Sequence, residues 1–441
     1  MPARQRLLAT AVTAAACLGI QALTATGATA SATVVSRGVT IPAFYDPPAT
    51  LPAADGTLVR SEPLPLALSL PGLDGTLPGT ATRLMYKSTD SSGQPVAVTG
   101  AYIEPAADWQ DDGPRPLVAV APGTMGQGDQ CAASMGLEHP LAVNSGTVSV
   151  GYEDLAIYRL LAEGVAVVVT DYAGLGATDR LHTYVNRVDE AHAVLDAVRA
   201  ARSLGGTSVT AESPVGLFGY SQGGGATAAA AELQSSYAPD ITLSGTYSGA
   251  PPADLTSVTK AIDGSELAGA LGWSLNGFLQ SDPSLKPLAE AHLNAAGKAA
   301  LTDLSTMCVG DALFGYGYAK STKWTTDGQS ISEIIAATPA LQAFLDKQRI
   351  GKLKPSGPVR LATGVSDNLV PHGQARQLAA DWCAKGADVT YKAVVLPDVG
   401  SALLNHFAPL LTDQGDAIAW LTDRLSGERA ASTCGSLPTQ P

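Results

Sequence analysis

Short apolar segments alternate with helical patterns along this chain, and this alternation constrains its fold more than any other feature. Apolar runs of strand length lie at 117–121, 165–170 and 215–220, and helical periods at 155–162 and 188–204 separate them. Strands that alternate with helices of this length build a parallel sheet with helices on its faces. We therefore predict an α/β core.

The alternation stops near residue 250 and resumes near 359. The intervening residues 251–350 carry apolar positions at helical spacing but no clear strand, which predicts a mainly helical cap inserted into the core. The core itself is predicted in two parts, 81–250 and 351–441, the second ending in a C-terminal tail. Residues 33–80 are rich in proline and glycine without a sustained period, and we interpret them as a wrapped arm rather than a domain.

Three details of the core follow from local patterns. Segments 83–88 and 96–103 flank turn residues and predict a hairpin at a sheet edge. In the helix predicted at 188–204, Asp189 and Glu190 fall mainly off the apolar stripe, so we expect the helix to pack one side on the sheet. Later elements are expected as strands at 359–363 and 389–396 and as helices at 373–383 and near 416–425.

The first 32 residues resemble an export signal. Arg4 and Arg6 precede a mostly apolar run, and Ala30-Ser31-Ala32 supplies a small-x-small cleavage site. This predicts a secreted protein whose mature chain begins at Thr33. The chain has 27 Lys and Arg against 40 Asp and Glu, and losing the two signal arginines leaves 25 − 40 = −15. Such a charge argues against nucleic acid or anionic membrane surfaces as partners.

The chain has five cysteines, and their number is relevant to the predicted secretion. Cys17 lies in the predicted signal, which leaves Cys131, Cys308, Cys383 and Cys434. An even number in an exported chain predicts two disulfides, and the residues alone leave three connectivities open. Their spacings lack the paired pattern of a zinc site, so we predict no metal.

The sequence Gly219-Tyr220-Ser221-Gln222-Gly223 matches G-x-S-x-G and lies directly between an apolar strand and an alanine-rich helix. This is the setting of a nucleophile elbow, in which the serine Oγ stands exposed above an α/β sheet. The glycines are needed because Cβ atoms at those positions would collide with neighbouring backbone. The backbone N–H of Gln222, the residue after the serine, is then one expected oxyanion donor.

Ser221 needs a histidine to accept its proton and an acid to orient that histidine, in the chain order Ser, acid, His. Two acids at strand ends fit, and we favour Asp367 over Asp398. Of the two histidines that follow, we favour His406, expected in the loop after the last core strand, over His372. The four earlier histidines are predicted to be packed or solvated: His139, His182, His192 and His292.

A second oxyanion donor is expected in the glycine-rich loop 122–129, and Thr124 is our choice there. The alternative is that this loop is an ordinary flexible connection.

Several motifs in combination resemble the secretory lipase family of the Candida antarctica lipase A type, especially its actinobacterial members. They are the G-x-S-x-G pentapeptide, the 122–131 loop ending Gly-Asp-Gln-Cys, the segment 171–176, and His182-Thr183-Tyr184. The resemblance implies an α/β-hydrolase core with a helical cap, and hydrolysis of acylglycerols or other carboxylic esters. It places the triad on Ser221, Asp367 and His406.

The resemblance also implies that Cys131 pairs with Cys308 and Cys383 with Cys434. One departure is the long apolar stretch between Gly400 and the histidine, where hydrolases commonly have a compact glycine–histidine turn. It leaves the geometry of this loop open.

The sequence leaves three functions open. The first is a secreted lipase or esterase acting through an acyl-enzyme, with an acyl pocket in the cap and transient contact with a lipid interface. Candidate lining residues are Leu271, Leu275, Phe278, Phe314 and Tyr316, although for any one of them we favour a place in the cap core. The second is a secreted serine peptidase or aminopeptidase on the same fold, with cap acids available to bind a substrate amine: Asp254, Asp263 and Glu266. The third is a non-catalytic surface-binding protein. No organic cofactor and no obligate protein partner is implied.

Overall fold

The structure is a computed structural model that describes residues 33–67, 70–72, 75–144 and 147–439. The predicted export signal at 1–32 lies outside the described residues. Within the described part of the chain, no helix combines the length and apolar character that crossing a membrane requires.

The β-strands, in chain order, are β1 Val35–Ser36, β2 Val39–Thr40, β3 Leu58–Leu64, β4 Leu70–Gly72, β5 Gly75–Leu77, β6 Gly79–Thr89, β7 Pro95–Pro105, β8 Leu117–Ala121, β9 Leu141–Asn144, β10 Thr147–Val150, β11 Ala166–Ala173, β12 Val215–Tyr220, β13 Leu243–Gly249, β14 Val359–Gly364 and β15 Val389–Val394.

The α-helices are α1 Ala133–Glu138, α2 Asp154–Ala162, α3 Arg187–Ser203, α4 Gln222–Tyr237, α5 Leu255–Ile262, α6 Ala270–Ser281, α7 Lys286–His292, α8 Ala295–Leu304, α9 Val309–Tyr316, α10 Ile331–Ala337, α11 Pro339–Gln348, α12 His372–Ala384 and α13 Ala402–Leu425.

Within the described residues, nine strands form one central sheet in the order β15-β14-β13-β12-β8-β11-β7-β6-β3. The six strands from β15 to β11 run parallel, and β7, β6 and β3 continue the sheet in antiparallel pairs. The parallel strands β8 and β12 are neighbours, so the loops that follow them lie at the same edge of the sheet. The predicted glycine-rich loop and the predicted elbow therefore meet.

The core lies on both faces of this sheet because successive strand residues point to opposite sides. In β8, Leu117 and Ala119 pack in the layer that holds α3, α4 and α12, whereas Val118 and Val120 pack in the layer that holds α2 and α13. All four side chains are buried. Burial on both faces is what makes the parallel strands continuous apolar runs in the sequence.

Residues 251–350 contain helices α5 to α11 and add a separate apolar cluster beside the carboxyl end of the sheet. Tyr184, Val185, Leu369 and Val370 from the sheet's loops join that cluster. The cap is thus packed directly over the loops in which the site residues were predicted.

Two expectations about the sheet edge and the arm need correction. The arm segment contributes β3, which pairs antiparallel with β6 in the register Glu62 to Arg83 and Leu64 to Ala81. The β6–β7 hairpin therefore lies one strand inside the edge. The connection from β3 to β6 runs from residue 65 to residue 78 and includes the β4–β5 pair, so no short hairpin loop directly joins β3 to β6 to reveal their pairing in the sequence.

The last helix is also longer than predicted. It begins at Ala402 rather than near residue 416, and Pro409 lies inside it. A proline removes one backbone hydrogen bond and usually interrupts a helix. Here the helix continues through Pro409, so the segment that holds His406, expected to be a loop after the last core strand, is helical.

Candidate active site

Ser221 lies at the turn between β12 and α4 in a backbone conformation that few residues adopt, with φ 58° and ψ −123°. The turn is possible because both flanking positions are glycine. A Cβ on Gly219 would lie 2.2 Å from the carbonyl oxygen of Gly223, and a Cβ on Gly223 would lie 1.9 Å from that of Ala121. Backbone strain of this kind in non-glycine residues is concentrated at functional sites.

His406 contacts both other members of the predicted triad. Its Nε2 lies 2.9 Å from Ser221 Oγ, and its Nδ1 lies 2.7 Å from Asp367 Oδ2. The other carboxylate oxygen of Asp367 accepts hydrogen bonds from the backbone amides of Leu369 and Val370, both at 3.0 Å. These contacts fix the carboxylate in the orientation that allows Nδ1–H to donate to it, which leaves Nε2 free to accept the serine proton.

His406 was expected in a loop, and this is wrong: it lies in the second turn of α13 and is almost completely buried. The helix is capped by Ser401, whose Oγ accepts from Leu404 N–H, and it is held to the elbow by the Tyr220 hydroxyl, which donates to the carbonyl of His406 at 2.7 Å. The apolar stretch after Gly400 is therefore the first part of a helix. The histidine is positioned by regular structure rather than by a turn.

The two alternative residues lie elsewhere. Asp398 bonds to the side chain of Asn405 and to the backbone amide of Gly400, and these contacts lower the pKa of its exposed carboxyl. His372 begins α12 and has its Nε2 3.3 Å from the hydroxyl of Tyr391. Neither side chain contacts Ser221.

The two candidate oxyanion donors line one cavity together with Ser221. Gln222 is the first residue of α4, where backbone N–H groups have no intrahelical acceptor. Thr124 follows β8 and is buried, with its Oγ1 2.7 Å from the hydroxyl of Tyr184. Its loop is ordered by contacts, which disfavours the alternative of an ordinary flexible connection.

Two side chains that sequence reasoning did not assign to the site hold Gln222. Its Nε2 donates to Glu190 Oε1 at 2.7 Å and lies 3.1 Å from His182 Nε2. His182 Nδ1 lies 3.0 Å from the carbonyl of Ala173, so the proton is assigned to Nδ1 and Nε2 accepts. Burial lowers the pKa of His182 to about 4 and raises that of Glu190 to about 8. The imidazole is therefore neutral at physiological pH.

Glu190 and Asp189 were expected mainly off the buried face of their helix, and this is wrong, since each is only 2% exposed. The amino end of α3 passes beneath the cap and the elbow, so the side of its first turn that carries Asp189 and Glu190 is covered, whereas Arg187 and Val188 stay partly exposed. The apolar stripe alone did not indicate this, because it places both acids mainly on another side of the helix.

Two neighbouring residues at the start of α2, Tyr152 and Glu153, hydrogen-bond to the loop 122–129, in which Thr124 is the candidate oxyanion donor. Glu153 Oε1 accepts the backbone N–H of Gly123 at 2.6 Å, and the Tyr152 hydroxyl donates to the carbonyl of Thr124 at 3.0 Å. Burial raises the pKa of Glu153 to about 7, with a further rise from the charge of Asp154 and a reduction from the Gly123 amide. The loop is thus fixed on both sides of Thr124.

The same loop is joined to the cap. Gln127 N–H donates to Met307 O at 2.9 Å, Val309 N–H donates to Met125 O at 2.8 Å, and Cys131 forms a disulfide with Cys308. The second disulfide joins Cys383 and Cys434 and ties the tail to α12. Both are the pairings that the family resemblance implied.

The cavity above Ser221 is mainly apolar. Its lining residues are Thr124, Tyr184, Val185, Ser221, Gln222, Pro252, Leu255, Val258, Thr259, Ile262, Leu267, Ala270, Ser274, Phe278, Leu369 and Val370. Of the predicted acyl-pocket residues, Phe278 is in this set. Leu271 is buried in the cap core, Phe314 is 85% exposed, and Tyr316 donates its hydroxyl to Asp303. The expectation for Phe314 is wrong because its position on α9 faces away from the cap cluster.

Residues 137–433, more than half of the chain, match the family described as secretory lipase. The chain belongs to the secretory lipase family. The resemblance predicted from the sequence motifs is thereby confirmed, and membership supports a carboxylic ester hydrolase.

Individual relatives cover most of the chain. A Mycobacterium tuberculosis protein named a probable inactive lipase is 29% identical over 388 residues, covering 87% of this chain and 82% of that protein. Lipase 10 of Candida albicans is 27% identical, covering 89% and 82%. A protein of Malassezia restricta named a secreted triacylglycerol lipase is 25% identical, covering 87% and 79%.

Solved structures show the same fold. Candida antarctica lipase A in its closed state superposes with a TM-score of 0.75 at 20% identity, covering 90% of this chain and 88% of that one. The rice cell wall degrading esterase LipA from Xanthomonas oryzae gives 0.68 at 21% identity, covering 86% and 100%. The predicted α/β-hydrolase fold class is confirmed.

Proposed function

We propose that this chain is a secreted lipase or esterase that cleaves carboxylic esters through an acyl-enzyme on Ser221. The observation that carries the proposal is the continuous contact from Ser221 Oγ through the imidazole of His406 to Asp367, at 2.9 Å and 2.7 Å. One relative's name includes the word inactive, but this chain has all three groups in contact.

In the proposed reaction, Ser221 Oγ attacks the ester carbonyl carbon as its proton moves to His406 Nε2. The carbonyl electron pair moves to oxygen, where the amides of Gln222 and Thr124 are the proposed donors. Collapse of this intermediate breaks the bond to the alcohol, which leaves with the proton from Nε2. Water then adds to the acyl-enzyme by the same proton transfers, releasing the acid and restoring the serine.

The cavity supports an apolar acyl group rather than a substrate amine. No aspartate or glutamate is among the described residues that line it. The three acids considered for an aminopeptidase are engaged elsewhere: Asp254 caps α5, Asp263 accepts from Ser321, and Glu266 accepts from Ser401. An aminopeptidase needs a carboxylate close to the reacting serine, so the ester hydrolase is favoured.

The substrate class can be tested with esters and anilides side by side. We expect hydrolysis of p-nitrophenyl butyrate and of a triacylglycerol, and no comparable hydrolysis of aminoacyl anilides. Ser221→Ala should abolish turnover while the circular dichroism spectrum is retained. Ser366→Ala is the matched control because its hydroxyl donates to the carbonyl of Leu396 and does not contact the triad. Activity in the Ser221 variant, or cleavage of anilides alone, would overturn the proposal.

Export is proposed on separate grounds. The basic and apolar start, the cleavage site before Thr33 and two disulfides all suit an oxidising extracellular compartment. Intact mass of protein recovered from culture medium should correspond to a chain that begins at Thr33. Recovery only from the cell interior would contradict export.

A further inference from the structure

The hydroxyl of Tyr220 contacts the backbone of the helix that carries His406. Tyr220 ends β12, directly before Ser221, and is only 2% exposed. Its hydroxyl donates to the carbonyl of His406 at 2.7 Å, and its ring centroid lies 5.3 Å from that of the imidazole. Burial raises the pKa of Tyr220 well above its ordinary value, so the hydroxyl keeps its proton and remains a donor.

The same hydroxyl bridges two backbone groups of α13. The backbone N–H of Leu410 also hydrogen-bonds to it, about one helical turn beyond the carbonyl of His406. Pro409 leaves this turn one hydrogen bond short, because it has no N–H to donate to the carbonyl of Asn405. The Tyr220 hydroxyl therefore supports α13 at a turn that its own backbone holds incompletely.

A second contact joins α13 to the strand that leads to Asp367. A Cβ on Gly364, the last residue of β14, would lie 2.5 Å from Cγ of Pro409, so the proline ring packs directly on that strand end. The N–H of Asp367 donates to the carbonyl of Gly364 at 3.1 Å. In the sheet, β13 separates β12 from β14. The helix is thus set against both strands that lead to the other triad members, through Tyr220 on β12 and through Pro409 on β14.

We propose that Tyr220 is a positioning residue for the triad: its bond to α13 keeps the imidazole of His406 within reach of Ser221. The inference rests on the proposed function, since it concerns the proton transfers of ester hydrolysis. A helix held to β14 through Pro409 alone can tilt relative to the elbow, and a tilt moves Nε2 away from Ser221 Oγ. The Tyr220 hydroxyl opposes that tilt because it belongs to the residue adjacent to the nucleophile.

The test removes the hydroxyl and keeps the ring. Tyr220→Phe should lower kcat for p-nitrophenyl butyrate at least about tenfold, because misplacing a catalytic group by about 1 Å can cost about a hundredfold. KM should stay within about twofold of the parent value, because His406 serves acylation and deacylation alike and both steps slow together. A residue that served stability alone would lower the free energy of unfolding and leave kcat unchanged.

Tyr247→Phe is the matched control. Tyr247 is fully buried on β13, in the same apolar layer as Tyr220, and its hydroxyl has no hydrogen-bond partner among the residues that the structure describes. Each variant therefore removes one buried hydroxyl, but the Tyr220 variant also removes a bond to α13. Tyr247→Phe should keep the parent kcat and KM.

A second measurement covers a variant that folds incompletely. Diethyl p-nitrophenyl phosphate reacts with an activated serine and releases p-nitrophenolate once per competent site, so the amplitude counts those sites and the rate reports attack by Ser221. The rate per site should fall in Tyr220→Phe and stay at the parent value in Tyr247→Phe. A parent-like kcat and rate per site in Tyr220→Phe, or an equal fall in both variants, overturns the inference. Failure of the parent protein to hydrolyse any ester overturns the proposed function instead, so the two failures are distinguishable.

Discussion

The buried carboxyl of Glu153 hydrogen-bonds to the loop 122–129 and should make the unfolding free energy of the protein depend on pH. Its carboxyl is buried at the start of α2 and accepts the Gly123 amide, and burial raises its pKa from an ordinary 4.5 to about 7. The folded state therefore binds this proton more tightly than the unfolded chain does. The contribution of this proton binding to the unfolding free energy is fully present below pH 4.5 and is lost as pH rises through 7.

The magnitude follows from the two pKa values. A rise from 4.5 to about 7 disfavours ionisation in the folded state by about 3 kcal/mol. Between pH 5 and pH 9, the parent protein should lose roughly 2–3 kcal/mol of unfolding free energy through this group. Glu153→Gln keeps a side-chain oxygen for the Gly123 amide but cannot ionise, so the variant should be spared this loss.

Urea unfolding followed by tryptophan fluorescence measures the effect. The difference in unfolding free energy between Glu153→Gln and the parent protein should grow by roughly 2–3 kcal/mol in favour of the variant between pH 5 and pH 9. A difference that is the same at both pH values would refute the argument from burial.

Measurements of kcat and KM distinguish the role of Glu153 in positioning the Gly123 amide from the effect of its charge. Glu153→Gln should keep the parent kcat, whereas Glu153→Leu leaves the Gly123 amide without its acceptor and should lower kcat about tenfold with little change in KM. Asp154→Asn is the control, since that neighbouring carboxyl also has a pKa raised to about 7 by burial but does not contact Gly123. A parent-like kcat in the leucine variant would show that the contact does not position the loop.

Three further outcomes follow from the structure. Asp367→Asn should lower kcat for p-nitrophenyl butyrate by about three to four orders of magnitude, because the orientation of the triad histidine is lost. Asp398→Asn should retain activity, since its carboxyl bonds to the Gly400 amide and the Asn405 side chain and to no member of the triad. Gly223→Ala should abolish soluble, active protein, measured by gel filtration and ester assay, because its Cβ would lie 1.9 Å from a carbonyl oxygen of β8. Replacing Cys383 and Cys434 by alanine opens a loop with a sequence separation of 51 and should lower the urea-unfolding free energy by about 4 kcal/mol without changing kcat.

Much of the fold could be predicted because each parallel strand is buried on both faces. Burial makes 117–121 and 215–220 continuous apolar runs, and Gly219 of the elbow is required by a contact with the nearby carbonyl of Gly223. Such signals are local. The edge position of β3 depends instead on pairing with β6, and pairing across a long connection leaves no periodicity in either strand.

The buried polar residues around the site were harder to predict from the sequence. Glu190 looks like a solvated residue in the first turn of a helix, yet it is buried because the Gln222 amide and the backbone of Val185 supply its hydrogen bonds. Which buried partner satisfies a carboxyl depends on the tertiary arrangement. The start of α13 was also not predicted: the helix begins at Ala402, and Pro409, a residue type that usually ends a helix, lies within it.

The contacts around the elbow also explain how the two proposed oxyanion donors, Gln222 and Thr124, are held in fixed positions. Gln222 is held through its side chain by Glu190, and the loop of Thr124 is held through Gly123 by Glu153. Both carboxyls are buried, so neither hydrogen bond competes with water, and each is stronger than it would be at the surface. The two donors come from different strands, yet both are fixed by helices of the core. A movement of the cap would reach the loop of Thr124 through the contacts that join the two: the Gln127–Met307 and Val309–Met125 hydrogen bonds and the Cys131–Cys308 disulfide.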